Sequence, residues 1–132
     1  CWRFRMPESV APALREAGFT ALSLANNHAN DFLAPGRAST ASALERAGLG
    51  WAGHAERPSA ILLARDGRRI GFAAFAHNSG TADHRQDALV ARVVSELAAR
   101  AEFVIVSLHG GAEGVGRERV PHGAEWQHGE NR

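Results

Sequence analysis

Two amides and an imidazole stand in a row at Asn26-Asn27-His28, immediately after the apolar run Ala21-Leu22-Ser23-Leu24-Ala25. Amide oxygens and imidazoles are good metal and phosphate contacts, and imidazole also moves protons near neutral pH. Neither type suits a strand interior, whereas the carboxyl ends of strands are where α/β proteins build their sites. A second event of the same kind occurs where Phe103-Val104-Ile105-Val106-Ser107-Leu108 runs into His109-Gly110-Gly111-Ala112-Glu113. Two strand ends, each carrying a histidine, are thereby placed to face one crevice. Plainer readings stand beside these: an amide-rich turn that caps the next helix, a strand-end histidine satisfied by backbone, and a solvated loop carboxylate at Glu113.

Other chemistry has less support. Ser107 precedes His109 with no identifiable acidic partner, which argues against a serine hydrolase. Gly110, Gly111, Gly114 and Gly116 lack the strand-to-helix context of a phosphate cradle. His77, His84, His122 and His128 fall in polar stretches and read as surface residues, and Asn78-Ser79-Gly80-Thr81 reads as a turn before it reads as a ligand contact.

The elements that must position these residues alternate along the chain. Apolar residues Val10, Ala13, Leu14 and Ala17 recur at helical spacing over Glu8 to Gly18, and Gly18 supplies a stop. Phe19 to Leu24 reads as the strand that follows. The Asn/His cluster and Pro35-Gly36 form a loop, Arg37 to Ala47 a second helix ended by Gly48, and Leu49 to Ala52 a short strand. Ile61 to Ala64 and Ile70 to Ala76 flank Asp66-Gly67, a hairpin signal, so these two strands should be antiparallel. Asp83 to Arg100 carries Ala88, Leu89, Val93, Val94 and Leu97 on one face. The unbroken apolar strand 103 to 108 suggests burial on both faces. The pattern predicts an α/β protein with mixed β-sheet layers flanked by helices, in a single domain over 1–132 without internal repeats. Gly110 to Arg132 shows no further strand, and the chain reads as cut short.

Composition narrows the class of function. At 45% hydrophobic and 22% charged residues the chain is an ordinary globular domain, and a net charge of +1 with scattered arginines provides no stripe for nucleic acid. All 15 basic residues are arginine, with no lysine and no tyrosine, which reads as codon bias. The single cysteine, Cys1, forms no internal disulfide, and Trp2-Arg3-Phe4-Arg5-Met6-Pro7 is unlike the polar tether that follows a lipidated cysteine. No apolar run approaches the length of a membrane span, so no direct span is expected.

The run Leu22-Ser23-Leu24-Ala25-Asn26-Asn27-His28-Ala29-Asn30-Asp31, followed by Leu44-Glu45-Arg46-Ala47-Gly48, resembles the CapA family of poly-γ-glutamate capsule biosynthesis proteins, within the calcineurin-like metallophosphoesterase superfamily. Ile70-Gly71-Phe72 after the Asp-Gly hairpin, and Val106-Ser107-Leu108-His109-Gly110-Gly111-Ala112-Glu113, fall in that family's order. Nearly the whole chain is covered. The sequence departs from the family at Phe32-Leu33, where a glycine is usual, and at Gly110 and Gly114, where aromatics are usual.

The resemblance implies part of a four-layer sandwich with a dinuclear site at strand ends, filled by divalent metal ions such as Mn, Fe or Zn in the complete protein. It implies Asn27 and His109 as metal ligands, His28 as the phosphate contact and general acid, and Asn26, Asp31 and Glu113 as groups that orient ligands or touch substrate. The superfamily's first aspartates and its final Gly-His-x-x-His-like motif have no counterpart in these 132 residues. The expectation is therefore an internal portion of a capsule biosynthesis protein with a metallophosphoesterase-type metal site, whose reaction the resemblance does not specify: a metal-dependent phosphoesterase-like hydrolase if the complete protein is active, with this portion inactive by itself. The alternatives are a non-catalytic capsule assembly or binding protein and an inactive partial domain. A membrane complex for capsule synthesis is the implied partner and the cell envelope the implied location; oligomeric state is not implied.

Overall fold

The computed structural model describes residues 3–111, residue 122, and the backbone of 126–127 and 130–131. Two helices and two strands form its first half: α1 (Val10–Glu16), β1 (Ala21–Ser23), α2 (Leu33–Arg46) and β2 (Gly50–Ala52). Both helices end in the same way. After α1, the Gly18 N–H reaches the Arg15 carbonyl and the Phe19 N–H reaches that of Leu14, each at 3.1 Å. After α2, Gly48 and Leu49 make the equivalent bonds to Glu45 and Leu44 at 3.0 and 2.9 Å. Gly18 and Gly48 have φ of 97° and 69°, the left-handed conformation this double closure needs. The device is written in sequence as Leu14-Arg-Glu-Ala-Gly-Phe19 and Leu44-Glu-Arg-Ala-Gly-Leu49, a short internal echo in a chain expected to have none. Each copy turns a helix directly into a parallel strand, and Leu22 of β1 lies opposite Trp51 of β2.

The second half is a three-stranded mixed sheet in the order β3-β4-β5, made of β3 (Ser59–Leu63), β4 (Arg69–Ala76) and β5 (Phe103–His109). β3 and β4 are antiparallel, as the Asp-Gly signal predicts. Gly67, at φ 85°, donates to the Ala64 carbonyl at 3.0 Å and closes the turn. β4 and β5 are parallel and joined through α3 (Asp87–Ala98), with Ala76 opposite His109 at their carboxyl ends. The architecture is mixed α/β, as expected. Two short strands, β6 (Trp126–Gln127) and β7 (Glu130–Asn131), pair antiparallel, where no further strand was anticipated after Gly110. Among the described residues no helix is long and apolar enough to cross a membrane.

Three apolar clusters hold these parts together. Ala11, Leu44, Leu49 and Trp51 bury α1 and α2 against β1 and β2, while Phe75, Val93 and Leu97 bury α3 against β4. Between them lies a seam of alanines, Ala25, Ala52, Ala74 and Ala76. With no side chain beyond Cβ, these residues let backbone meet backbone. Gly53 carries the approach furthest, since a Cβ built there would lie 2.5 Å from the Ala25 nitrogen, at a φ of 121°.

Two expectations change. The helix expected from Arg37 begins at Leu33 and takes in Pro35 and Gly36. A proline in the first helical turn has no intrahelical N–H to lose, and Leu33 enters at φ 55°, its N–H held by the Asn30 carbonyl at 3.0 Å. The strand expected to be buried on both faces is not: Phe103, Ile105, Val106 and Leu108 are 53, 52, 41 and 66% exposed. β4 takes the central place, with Ala73, Ala74, Phe75 and Ala76 fully buried. An all-apolar run shows that a strand is apolar on both faces without showing what covers them.

His54 is 2% exposed, its ring 5.0 Å from that of Trp51. Burial pushes its pKa below the ordinary 6.5; Glu56 opposes that shift and Arg37 adds to it. The unfolded chain thus binds this proton more readily than the folded one. Its contribution to stability is complete above pH 6.5 and is lost as pH falls from there toward the folded value. Denaturation midpoints should therefore drop across that window, and His54→Gln should flatten the drop; an unchanged slope in the variant would remove His54 as its source. Gly53→Ala should cost at least ~2 kcal/mol in chemical denaturation, because strain and backbone clash act together. A cost within experimental error would show that β2 and Ala25 do not approach as described.

Candidate functional site

The carboxyl ends of β1, β4 and β5 open into loops that carry the polar residues of interest. After β1, the Leu24 N–H still bonds to the Ala52 carbonyl at 2.8 Å, and the chain then leaves the sheet at buried Ala25. Asn26 folds the turn that follows: its Oδ1 accepts the His28 N–H at 2.8 Å, the side-chain-to-backbone closure that asparagine makes readily. Of the two readings of this cluster, the turn is therefore real, and Asn26 builds it.

The turn presents its residues to two places. The backbone N–H of Asn27 donates to Nε2 of His109 at 3.3 Å, across 82 positions of sequence. The loop after β1 and the end of β5 thus meet, as the paired strand-end pattern anticipated. His28 and Asp31 form a second group. Nδ1 of His28 lies 2.9 Å from Oδ2 of Asp31, which also accepts the Phe4 N–H at 2.8 Å, and the Phe4 ring stands edge-on to the imidazole at 4.5 Å. His28 lines a cavity with Phe4, Arg5, Phe32 and Thr40, at the start of α2. Glu113 lies outside the described residues.

The Phe4 N–H holds the Asp31 carboxyl below its ordinary value of 3.8, with His28 and Arg3 acting in the same direction. An ionised carboxylate is only an acceptor, so Asp31 places the His28 proton on Nδ1 and fixes the ring's tautomer. The imidazole is oriented by a third group, an arrangement suited to proton transfer.

Residues without a role in the expected site complete the picture. Asn30 accepts a hydrogen bond from Arg37 through Oδ1 and donates to Ser79 Oγ at 3.1 Å through Nδ2, tying the loop after β1 to the loop after β4. In the latter loop the Thr81 hydroxyl bonds to the carbonyls of Ala76 and Asn78 at 3.0 and 2.6 Å, so 78–81 is the turn expected there. His77 and His84 are partly buried and face each other, with ring centroids 5.6 Å apart at 83°. Their reading as surface residues is corrected. The signal was present, because His77 follows the end of β4 as His109 ends β5, which makes a third strand end with an imidazole.

Asn27 and His109 are of residue types that suit a divalent ion, an amide oxygen and an imidazole nitrogen, but the contact between them is made by the Asn27 backbone N–H. Among the described residues, no three His, Cys, Asp or Glu side chains converge as a metal-binding group. By themselves Asn27 and His109 do not make up such a group.

In a 13C NMR titration, the Asp31 carboxyl should remain ionised below pH 3.8, with the Phe4 amide proton shifting in step. Because the folded pKa is the depressed one, the stabilisation from this contact is complete above 3.8 and lost as pH falls through the lower folded value. A midpoint at the ordinary value, or a Phe4 amide indifferent to it, would separate the two groups.

A family model described as bacterial capsule synthesis protein PGA_cap matches residues 2–121. No curated protein and no solved structure matches the chain.

Proposed function

Because the chain belongs to the bacterial capsule synthesis protein family, PGA_cap, we propose that it serves poly-γ-glutamate capsule synthesis through a metallophosphoesterase-type site at its strand ends. The observation that carries the reading is the meeting of Asn27 with His109 at 3.3 Å. Two residues assigned as ligands from separate motifs lie together, although 82 positions separate them and the elements that carry them pair with different neighbours. In this reading Asn27 Oδ1 and His109 Nε2 would hold a divalent ion of the Mn, Fe or Zn class, the imidazole lone pair exchanging its bond from the Asn27 N–H for the ion. The remaining ligands come from outside the described residues. When bound, the ion lowers the pKa of a water and neutralises charge on phosphate oxygens.

The chain's own residues divide the other tasks. His28, with Asp31 holding Nδ1, presents Nε2 to the cavity at the start of α2 and acts there as the proton donor to a leaving oxygen. Asp31 keeps the ring in one orientation, and the Phe4 ring edge restricts its rotation. Asn26 sets the turn that sends Asn27 to one side and His28 to the other. Family membership supports a role in capsule synthesis and suggests association with the cell envelope; in this reading the protein works there within a synthesis complex.

His109→Ala in the intact protein should lower the bound metal at least tenfold while the far-ultraviolet circular dichroism stays that of the parent. Unchanged metal content would sink the ligand assignment and leave a binding role in capsule assembly as the better reading. His28→Asn should lower kcat for phosphoester hydrolysis at least a hundredfold with metal content within a factor of two. Equal loss of metal and turnover would recast His28 as structural.

A further inference from the structure

We infer that the cavity beside His28 takes a phosphomonoester of an apolar alcohol, with the phosphate between Arg5 and His28 and the alcohol's chain between α1 and α2. It deepens the reading above, on which it rests for the phosphate at His28, by naming the group to which that phosphate is attached.

Two hollows adjoin at this place. The one that His28 lines has a volume of about 470 Å3 and is bordered by Arg5 and by the rings of Phe4 and Phe32. The other, of about 180 Å3, lies where α1, α2 and β1 meet and is lined by Val10, Leu14, Leu22, Leu24 and Leu44. Met6, Ser39 and Thr40 border both, so a ligand seated at His28 reaches the apolar hollow along one side of α2.

Charge assigns the two ends. Asp31 takes Nδ1 of His28, so Nε2 is the ring nitrogen that can donate to an anion. Arg5 brings a permanent positive charge to the same hollow, its guanidinium over the Phe32 ring at 5.9 Å. At the other end the charge is negative. Glu8 borders the apolar hollow, with Oε1 accepting from Ser39 Oγ at 3.0 Å and Oε2 from Arg46 at 2.5 Å. A phosphate is therefore drawn to the Arg5 end and repelled from the Glu8 end, whereas an apolar chain is indifferent to a carboxylate already paired.

The border also selects against a polar alcohol. Ser39 donates its hydroxyl proton to Glu8, and Thr40 donates its own to the Gly36 carbonyl at 3.0 Å. Neither has a proton for a ligand hydroxyl, and a polar chain that leaves water without such a donor loses affinity. Size follows from the volume. An apolar cavity of about 150 Å3 holds a benzene ring, so 180 Å3 has room for about six to eight carbon atoms. Met6, at the border of both hollows, is 72% exposed, and its flexible thioether chain can close over such a group. Hydrolysis of the ester takes up one water, breaks the bond from phosphorus to the alcohol oxygen and passes the His28 Nε2 proton to that oxygen. Inorganic phosphate and the apolar alcohol are the products.

The test is a calorimetric and NMR titration of the intact protein with hexylphosphonate and methylphosphonate, which keep head group and chain but cannot be hydrolysed. Hexylphosphonate should bind at least tenfold more tightly, with nuclear Overhauser contacts from its chain to the methyl groups of Met6, Leu14 and Leu24. Ala43→Leu, which adds bulk to the apolar hollow, should lower that preference at least threefold while methylphosphonate affinity stays within a factor of two. Arg5→Gln should weaken both ligands at least tenfold. The contacts seen in the parent protein keep the proposal testable where a variant folds poorly. Equal affinity for the two ligands, or absence of those contacts, overturns it. Preference for the hexyl chain with no turnover of hexyl phosphate removes the hydrolase reading and upholds this site. Turnover with no preference for the chain overturns this site and keeps the hydrolase.

Discussion

The close approach of backbones along the seam Ala25, Ala52, Ala74 and Ala76 is the constraint on which the rest of the molecule depends. Each sheet carries its own helices and its own large apolar residues. What joins them is a line where side chains stop at Cβ, continued by Gly53, whose absent side chain would collide with the Ala25 nitrogen at 2.5 Å. Such contacts gain from dispersion at close range and tolerate no added volume. Because Ala25 immediately precedes the Asn26 turn, the depth of this packing sets where Asn27 and His28 are delivered. The strand ends converge on a site because the seam is thin.

Much of this was legible from local pattern. Leu14-to-Phe19 and Leu44-to-Leu49 declare their helix ends through one glycine each, and Asp66-Gly67 declares the hairpin, since backbone conformation there is decided by the residues themselves. The start of α2 was not legible in the same way. Pro35-Gly36 reads as a loop to any rule that treats both as breakers, and its place in the first turn depends on Leu33 adopting a positive φ held by the Asn30 carbonyl. Burial was harder still. β4, with Gly71 and three alanines, looks less like a core strand than Phe103 to Leu108, yet small residues are what a strand pressed on both faces can accommodate.

The site divides along the same line. Asn27 and His109 were readable because each ends an apolar run, a one-dimensional signal for a three-dimensional place. The opposite destinations of Asn27 and His28 were not readable, since they follow from the Asn26 Oδ1 bond that folds the turn. His77 bore the same strand-end mark and was passed over because its loop is polar. His84 bore none, and only the return of the chain into α3 brings it to His77. Asn30, two positions past His28, reaches Ser79 and Arg37 rather than the site, so a motif read as one unit serves three separate purposes.

The strength with which these groups are held is uneven. His28 stands on a short turn braced by Asp31, Phe4 and the start of α2, so its position is fixed by several contacts at once. His109 ends β5, a strand whose described neighbour lies on the β4 side and whose Phe103, Ile105 and Leu108 are more than half exposed. Little apolar burial secures such a strand, and local opening costs least where burial is least. Arg68, stacked over the Phe103 ring at 5.2 Å, covers the strand's first residue at the end away from the site. At the other end, the bond from the Asn27 N–H to His109 joins this exposed strand to the loop that leaves the alanine seam. That contact therefore has two effects: it places a candidate ligand, and it restrains the carboxyl end of β5, where burial does little to hold it.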